Sequence, residues 1–165
     1  MRMGILTKAL KEKDCCLTEN SLNMRKYLLL LIPVLVLVSC GPKLEKIVED
    51  THPDGSPKLV VYYRQVEGFS EKVKVEAFYE NGQKRYEGEF AGDKRNGLWV
   101  YWYENGNKWS EGSFKDDVRD GYGTTWHENG KKHYEGSYKD GVRVGVWKFY
   151  SPEGEIVKEI NYDEE

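Results

Sequence analysis

Tyr79-Glu80-Asn81-Gly82 returns as Tyr103-Glu104-Asn105-Gly106, as His127-Glu128-Asn129-Gly130 and as Ser151-Pro152-Glu153-Gly154, 24 residues apart each time, without a slipped position. A period of this length implies one supersecondary unit stacked on its own copies, an arrangement that builds a surface more readily than a single reactive pocket. Asn-Gly at 81/82, 105/106 and 129/130 supplies the two positive-φ residues that a type I′ turn requires. Apolar alternation on both sides marks strands. Hairpins are therefore expected for 72–79 with 83–91, 97–103 with 107–115, 121–127 with 131–139, and 145–150 with 155–162. Charged connectors, 92–96, 116–120 and 140–144, lie between them, each running into a glycine (Gly97, Gly121, Gly145). No stretch sustains a helical period. The predicted fold is all-β: an elongated, curved antiparallel β-meander of 24-residue hairpins.

Outward from this core, His52-Pro53-Asp54-Gly55 reads as an irregular first copy of the turn. It lies 27 residues before the next copy, and the surplus around Val66–Ser70 predicts a longer loop in this first unit. The repeat domain is thus assigned to 52–162, with a tail at 163–165.

Tyr86-Glu87-Gly88-Glu89-Phe90, Ser110-Glu111-Gly112-Ser113-Phe114 and Tyr134-Glu135-Gly136-Ser137-Tyr138 are each followed by a charged turn. Gly97-Leu98-Trp99, Gly121-Tyr122-Gly123 and Gly145-Val146-Trp147 then complete the pattern. Together these segments resemble MORN repeats, and the Tyr-Glu-Asn-Gly turn with the Gly-x-Trp strand resembles the bacterial variant found in YwqK-type antitoxin-like proteins. The resemblance covers about 52–162 and implies the hairpin fold. For function it implies recognition in general, an antitoxin that neutralises a toxin being the version the family label suggests. Gly123 departs from the pattern, standing where its sisters carry Trp99 and Trp147.

Before the repeats, Met24-Arg25-Lys26 and the apolar run 27–38 have the form of a signal peptide, too short to cross a bilayer comfortably. Leu37-Val38-Ser39-Cys40-Gly41 resembles a bacterial lipobox. That resemblance implies cleavage before Cys40 and a covalent lipid on its thiol, the sole modification or cofactor expected. The segments then read as a leader at 1–23, with translation starting at Met24, a signal peptide at 24–39 and a polar tether at 40–51. The expected address is the cell envelope, a membrane partner through the lipid, with the outer membrane favoured because Gly41 is not the aspartate that retains some lipoproteins at the inner membrane. Residues 1–39 hold six of the chain's 25 Lys and Arg and three of its 28 Asp and Glu, which leaves the remainder at a net charge of −6. Such a charge suits neither nucleic acid nor an anionic bilayer face.

Strand alternation sorts the recurring residues onto two faces. Phe78, Trp102, Trp126 and Tyr150 form one aromatic column, a candidate binding surface for a protein or a glycan, as in a carbohydrate-binding module. Val75, Trp99, Gly123 and Trp147 share the other face with Ala77, Tyr101, Thr125 and Phe149. Both faces carry large rings, so either the sheet curls and long charged side chains shield the rest, or one column lines a groove. No catalytic constellation and no metal-ligand pattern is evident: His52, His127 and His133 lack ligand spacing, and His127 reads as a substitute for Tyr79 and Tyr103. A non-enzymatic protein is the expectation.

Overall fold

The computed structural model describes residues 44–163. Cys40, the leader at 1–23 and the signal segment at 24–39 lie outside these residues. Ten strands follow one another in a single antiparallel sheet whose spatial order is the chain order. They are β1 (Leu44–Thr51), β2 (Pro57–Val66), β3 (Phe69–Phe78), β4 (Lys84–Ala91), β5 (Lys94–Trp102), β6 (Lys108–Lys115), β7 (Val118–Trp126), β8 (Lys132–Lys139), β9 (Val142–Tyr150) and β10 (Ile156–Asn161). The sheet is an open meander, and at ~4.8 Å per strand it extends roughly 40 Å across. Part of the expected tether is in fact strand: β1 pairs with β2 from Leu44↔Arg64 to Thr51↔Pro57.

The two ends of the hairpins use different turns, and they exchange the roles expected from the sequence. At the Asn-Gly end only the glycine has positive φ (Gly82 at 79°, Gly106 at 87°, Gly130 at 83°). Gly82 N donates to Tyr79 O at 3.0 Å and Tyr79 N to Gln83 O at 2.9 Å, a three-residue loop with the glycine in the left-handed region. Asn81 spends its side chain differently from what a type I′ turn asks: Oδ1 accepts from Gln83 N, and Nδ2 donates to Glu104 O of the next tip. The type I′ pattern lies at the connectors, where Asp116 and Asp117 (φ 50° and 72°) and Asp140 and Gly141 (φ 49° and 85°) are both left-handed. These connectors are two-residue turns, so Gly97, Gly121 and Gly145 fall inside strands, beside register shifts in β5, β7 and β9.

The first unit likewise turns at two residues, Glu67-Gly68, with Val66 paired to Phe69. Its surplus lengthens β2 and β3 to 10 residues each, and the loop is no longer than in later units. Its tip matches the others: Gly55 N donates to His52 O at 2.9 Å, as Gly82 N does to Tyr79 O.

One face is built by laying indoles over glycines. Val75 and Trp99 flank Gly88 across β3, β4 and β5. A Cβ at Gly88 would meet Trp99 Cδ2 at 2.1 Å, and one at Gly136 would meet Trp147 Cδ2 at 2.3 Å. Phe90 and Phe114 close on Trp99 edge-on at 5.3 and 6.3 Å, and Tyr138 on Trp147 at 4.8 Å. Trp99 is left 5 % exposed and Trp147 0 %. A flat single layer could not bury an indole this far, so curling and bulging of the strands complete the core.

The opposite face is closed by charged side chains. Glu76 accepts from the Tyr62 hydroxyl at 2.7 Å and pairs with Lys74 at 3.0 Å and Lys84 at 3.3 Å, and Lys84 also reaches Glu87 at 2.8 Å. Two later copies repeat the unit as Lys108–Glu111 and Lys132–Glu135, each at 2.7 Å. Val100, between Glu87 and Glu111, and Thr124, between Glu111 and Glu135, are buried beneath it.

The ring-over-glycine packing predicts different outcomes at equivalent positions. Gly88→Ala and Gly136→Ala should each lower stability by about 3 kcal/mol, whereas Gly112→Ala, whose nearest neighbour is Arg119 Nη1 at 3.5 Å, should stay within about 1 kcal/mol of wild type. Urea midpoints of the three variants measure this. On the charged face, burial would raise the Glu76 carboxyl, but Tyr62, Lys74 and Lys84 hold it down at about 2 against an ordinary 4.5. Its contribution is therefore complete above 4.5 and lost as pH falls through about 2. Glu76→Gln should cost on the order of 1–3 kcal/mol at neutral pH, and the gap from wild type should shrink in urea titrations at pH 3; a gap unchanged with pH would refute this assignment.

Candidate functional site

The hairpin tips form a ladder that fixes each unit against the next. Tyr79 Oη donates to Trp102 O at 2.8 Å and Tyr103 Oη to Trp126 O at 2.9 Å. His127 Nε2 meets Tyr150 O at 3.2 Å in the same slot, and His52 Nε2 meets Phe78 O at 3.1 Å. A carbonyl accepts, so both imidazoles carry the proton on Nε2. His127 thus replaces the tyrosine of its sister units as a bridge. His133 packs 4.3 Å from His127, and burial, with His127 beside it, pushes its pKa below the usual histidine value. Among the described residues no group of three His, Cys, Asp or Glu is arranged to hold a metal ion.

Phe78, Trp102, Trp126 and Tyr150 all lie on the charged face, half-buried. Three of them sit under lysines: Lys84 Nζ is 5.6 Å from the Trp102 ring centre, Lys108 5.5 Å from Trp126 and Lys132 5.9 Å from Tyr150. Each lysine is paired to the glutamate three residues on, so the cation covering each ring is itself fixed. Around Glu135 the Tyr150 hydroxyl donates at 2.5 Å. This bond, followed by burial, pushes the Tyr150 phenol up to about 12; Tyr122, raised first by burial and then by the same carboxylate, also reaches about 12.

The open space lies on the other face. A cavity of about 500 Å³ is bounded by Tyr101, Trp109, Phe114 and Tyr134, with Ser110, Thr125, Arg95, Asp117 and Arg119. A smaller one of about 240 Å³ continues from Tyr101 along the same face towards Tyr86, Phe90 and Leu59. The larger sits at the copy that departs from the pattern. Trp99 covers Gly88 and Trp147 covers Gly136, but Gly123 supplies no ring over Gly112.

Trp109 comes to this groove through a bulge. Tyr101 pairs with Ser110 and Trp102 with Lys108, which leaves Trp109 as the extra residue. It packs edge-on to Tyr101 at 5.8 Å and near Tyr103 at 6.2 Å, and stays 47 % exposed. The arginines are also periodic. Arg95 lies 4.3 Å from the Phe114 ring centre and pairs with Asp117 at 3.1 Å; Arg143 lies 4.5 Å from Trp147 and donates to the Tyr162 hydroxyl at 2.8 Å. Neither Trp109 nor these arginines figured among the site residues expected from sequence. Gly123 was the signal that could have led to them.

The arrangement offers half-exposed rings, hydroxyls and guanidinium groups, a surface for holding a ligand. No curated protein matches the chain significantly. The model of the MORN repeat variant family matches residues 73–91, 95–116, 119–140 and 143–164, more than half of the 165 residues, in four consecutive copies. Those copies take in the hairpins from β3 to β10, the indoles of Trp99 and Trp147 each lying over a glycine of the preceding copy, and the chain belongs to the MORN repeat variant family.

Proposed function

We propose that this chain is a lipid-anchored recognition protein of the cell envelope, binding a protein or an envelope polymer on the indole-bearing face of its sheet and catalysing no reaction. The groove carries the binding reading. Repeat packing covers Trp99 and Trp147 by glycine stacking on one face and Trp102, Trp126 and Tyr150 by lysines on the other, whereas Tyr101, Trp109 and Tyr134 border open space. The anchor rests on the sequence Leu37-Val38-Ser39-Cys40 behind its apolar run, and the outer-membrane preference on Gly41.

Three of the four rings of the column Phe78, Trp102, Trp126 and Tyr150 are under fixed lysines, which supports the opposite face as the preferred candidate surface. The mixture of rings and hydroxyls at the groove favours the carbohydrate-binding reading as the second hypothesis. An immunity lipoprotein that neutralises a toxin in the envelope is the form of the antitoxin reading consistent with an anchor.

Two measurements test these points. Palmitate fed to expressing cells should label the full chain and not Cys40→Ser, which should leave the membrane fraction; persistent labelling of the variant would remove the anchor. Trp109→Ala should weaken capture of envelope material at least about tenfold while changing stability by less than about 1 kcal/mol. Trp102→Ala and Trp126→Ala should do the reverse, lowering the urea midpoint and sparing capture. Unchanged capture by Trp109→Ala would rule out the groove as the binding face.

A further inference from the structure

We infer that the cavity bounded by Tyr101, Trp109, Ser110, Thr125 and Tyr134, beside the copy that carries Gly123, is a subsite for a sugar acid within a glycan chain, with the carboxylate on Arg119 and the ring against the aromatic walls. This rests on the reading that the indole-bearing face binds a ligand. Two departures from the repeat coincide there. The first is Gly123 itself. Where Trp99 and Trp147 put an indole over the cross-strand glycine, this copy has none, and Arg119 lies over the glycine pair instead, its Nη1 3.5 Å from a Cβ built on Gly112 and 3.8 Å from one built on Gly123.

The second departure frees that arginine. Asp117 N donates to Arg95 O, and its carboxylate takes the Arg95 guanidinium. One period later Gly141 N donates to Arg119 O at 2.9 Å, but a glycine brings no carboxylate. Arg119 has no ion pair and no side-chain hydrogen bond among the described residues. Its guanidinium is held only between rings, 5.4 Å from the centre of Phe114 and 5.2 Å from that of Tyr138. Asp117 also borders the cavity, but its carboxylate is taken up by Arg95.

A half-buried guanidinium without an anion is a ready bidentate partner for a carboxylate. The rest of the site selects among carboxylates. Tyr101, Trp109 and Tyr134 present apolar ring faces against which the C–H face of a pyranose can lie, and Ser110 and Thr125 offer hydroxyls to its polar edge. A glutamate side chain of a peptide would satisfy Arg119 and leave the aromatic walls and the hydroxyls unused. These features favour the sugar.

The test uses the full chain in detergent and measures binding to oligosaccharides containing galacturonate, glucuronate, sialate or N-acetylmuramate, each beside its neutral counterpart, with oligoglutamate as the peptide control. At least one acidic glycan should bind about tenfold more tightly than its neutral form. Arg119→Gln should erase that preference, and Arg119→Lys should restore only part of it. Gly123→Trp should put an indole where the Arg119 guanidinium now lies, displace it, and abolish acidic-glycan binding with a urea midpoint at or above wild type. The proposal is overturned if no acidic glycan is preferred, if the preference survives Arg119→Gln or Gly123→Trp, or if oligoglutamate binds as well as the glycans. Envelope capture that still depends on Trp109 in the Gly123→Trp background would leave the binding face standing and remove this subsite alone.

Discussion

A sheet of one layer has no second layer to pack against, and the indole laid over a cross-strand glycine is how this chain meets that constraint. Each element of the repeat serves the contact. The glycine removes a side chain so that the ring can approach the backbone, the bulge beside Gly97 or Gly145 turns the strand inward, and the flanking phenylalanine or tyrosine closes the ring edge. An arginine guanidinium then lies over what remains, Arg95 at 5.7 Å from the Trp99 ring centre and Arg143 at 4.5 Å from that of Trp147. Because every contact spans neighbouring strands, stability accumulates from unit to unit, and the order of strands in space simply follows the chain.

The charged face solves the same problem with other chemistry. A Lys–Glu pair at each unit covers an aromatic ring and an apolar or hydroxyl-bearing neighbour, so ion pairs that would be worth little alone lie over partly desolvated surface. Glu76, touched by Tyr62 and two lysines, is the most strongly held member. The division of labour covers Trp99 and Trp147 on one face and Trp102, Trp126 and Tyr150 on the other, while Leu98, Tyr122 and Val146 stay half-exposed on the charged face.

Much of this was legible in the sequence, and the parts that were not have physical reasons. The period placed the hairpins, and alternation placed Phe78, Trp102, Trp126 and Tyr150 on one face and Trp99 and Trp147 on the other. Turn type was misread because Asn-Gly is the strongest type I′ signal in isolation, whereas here the asparagine is recruited to bond the neighbouring tip. Asp116-Asp117, with no glycine, takes the left-handed pair because Arg95 binds the second aspartate. Trp109 was invisible as a groove residue because a bulge breaks the count by two on which face sorting relies. Nor could the column of Trp102 and Trp126 be seen as covered, since the lysine over each ring lies 18 residues before it, Lys84 over Trp102 and Lys108 over Trp126, and is not among the ring's own neighbours.

The value of an exact repeat lies in what its violations can mean. A lone change at Gly123 would be unremarkable, since a glycine there keeps strand geometry and merely thins the core. A lone change at Gly141 would be equally mild, since the backbone bond to Arg119 survives it. The two fall in different strands and turns, 18 positions apart, yet they remove the ring that Arg119 would cover and the acid that would neutralise it. The guanidinium takes the place of the lost ring, lying over Gly112 between Phe114 and Tyr138, but the lost acid is not replaced, and Trp109 remains half-exposed at the rim of the neighbouring cavity. Burying part of a guanidinium and leaving its charge unmatched costs stability that the intact copies do not give up. Such a cost is best understood where the missing carboxylate arrives from outside the chain, carried by a ligand that the aromatic walls beside Arg119 receive.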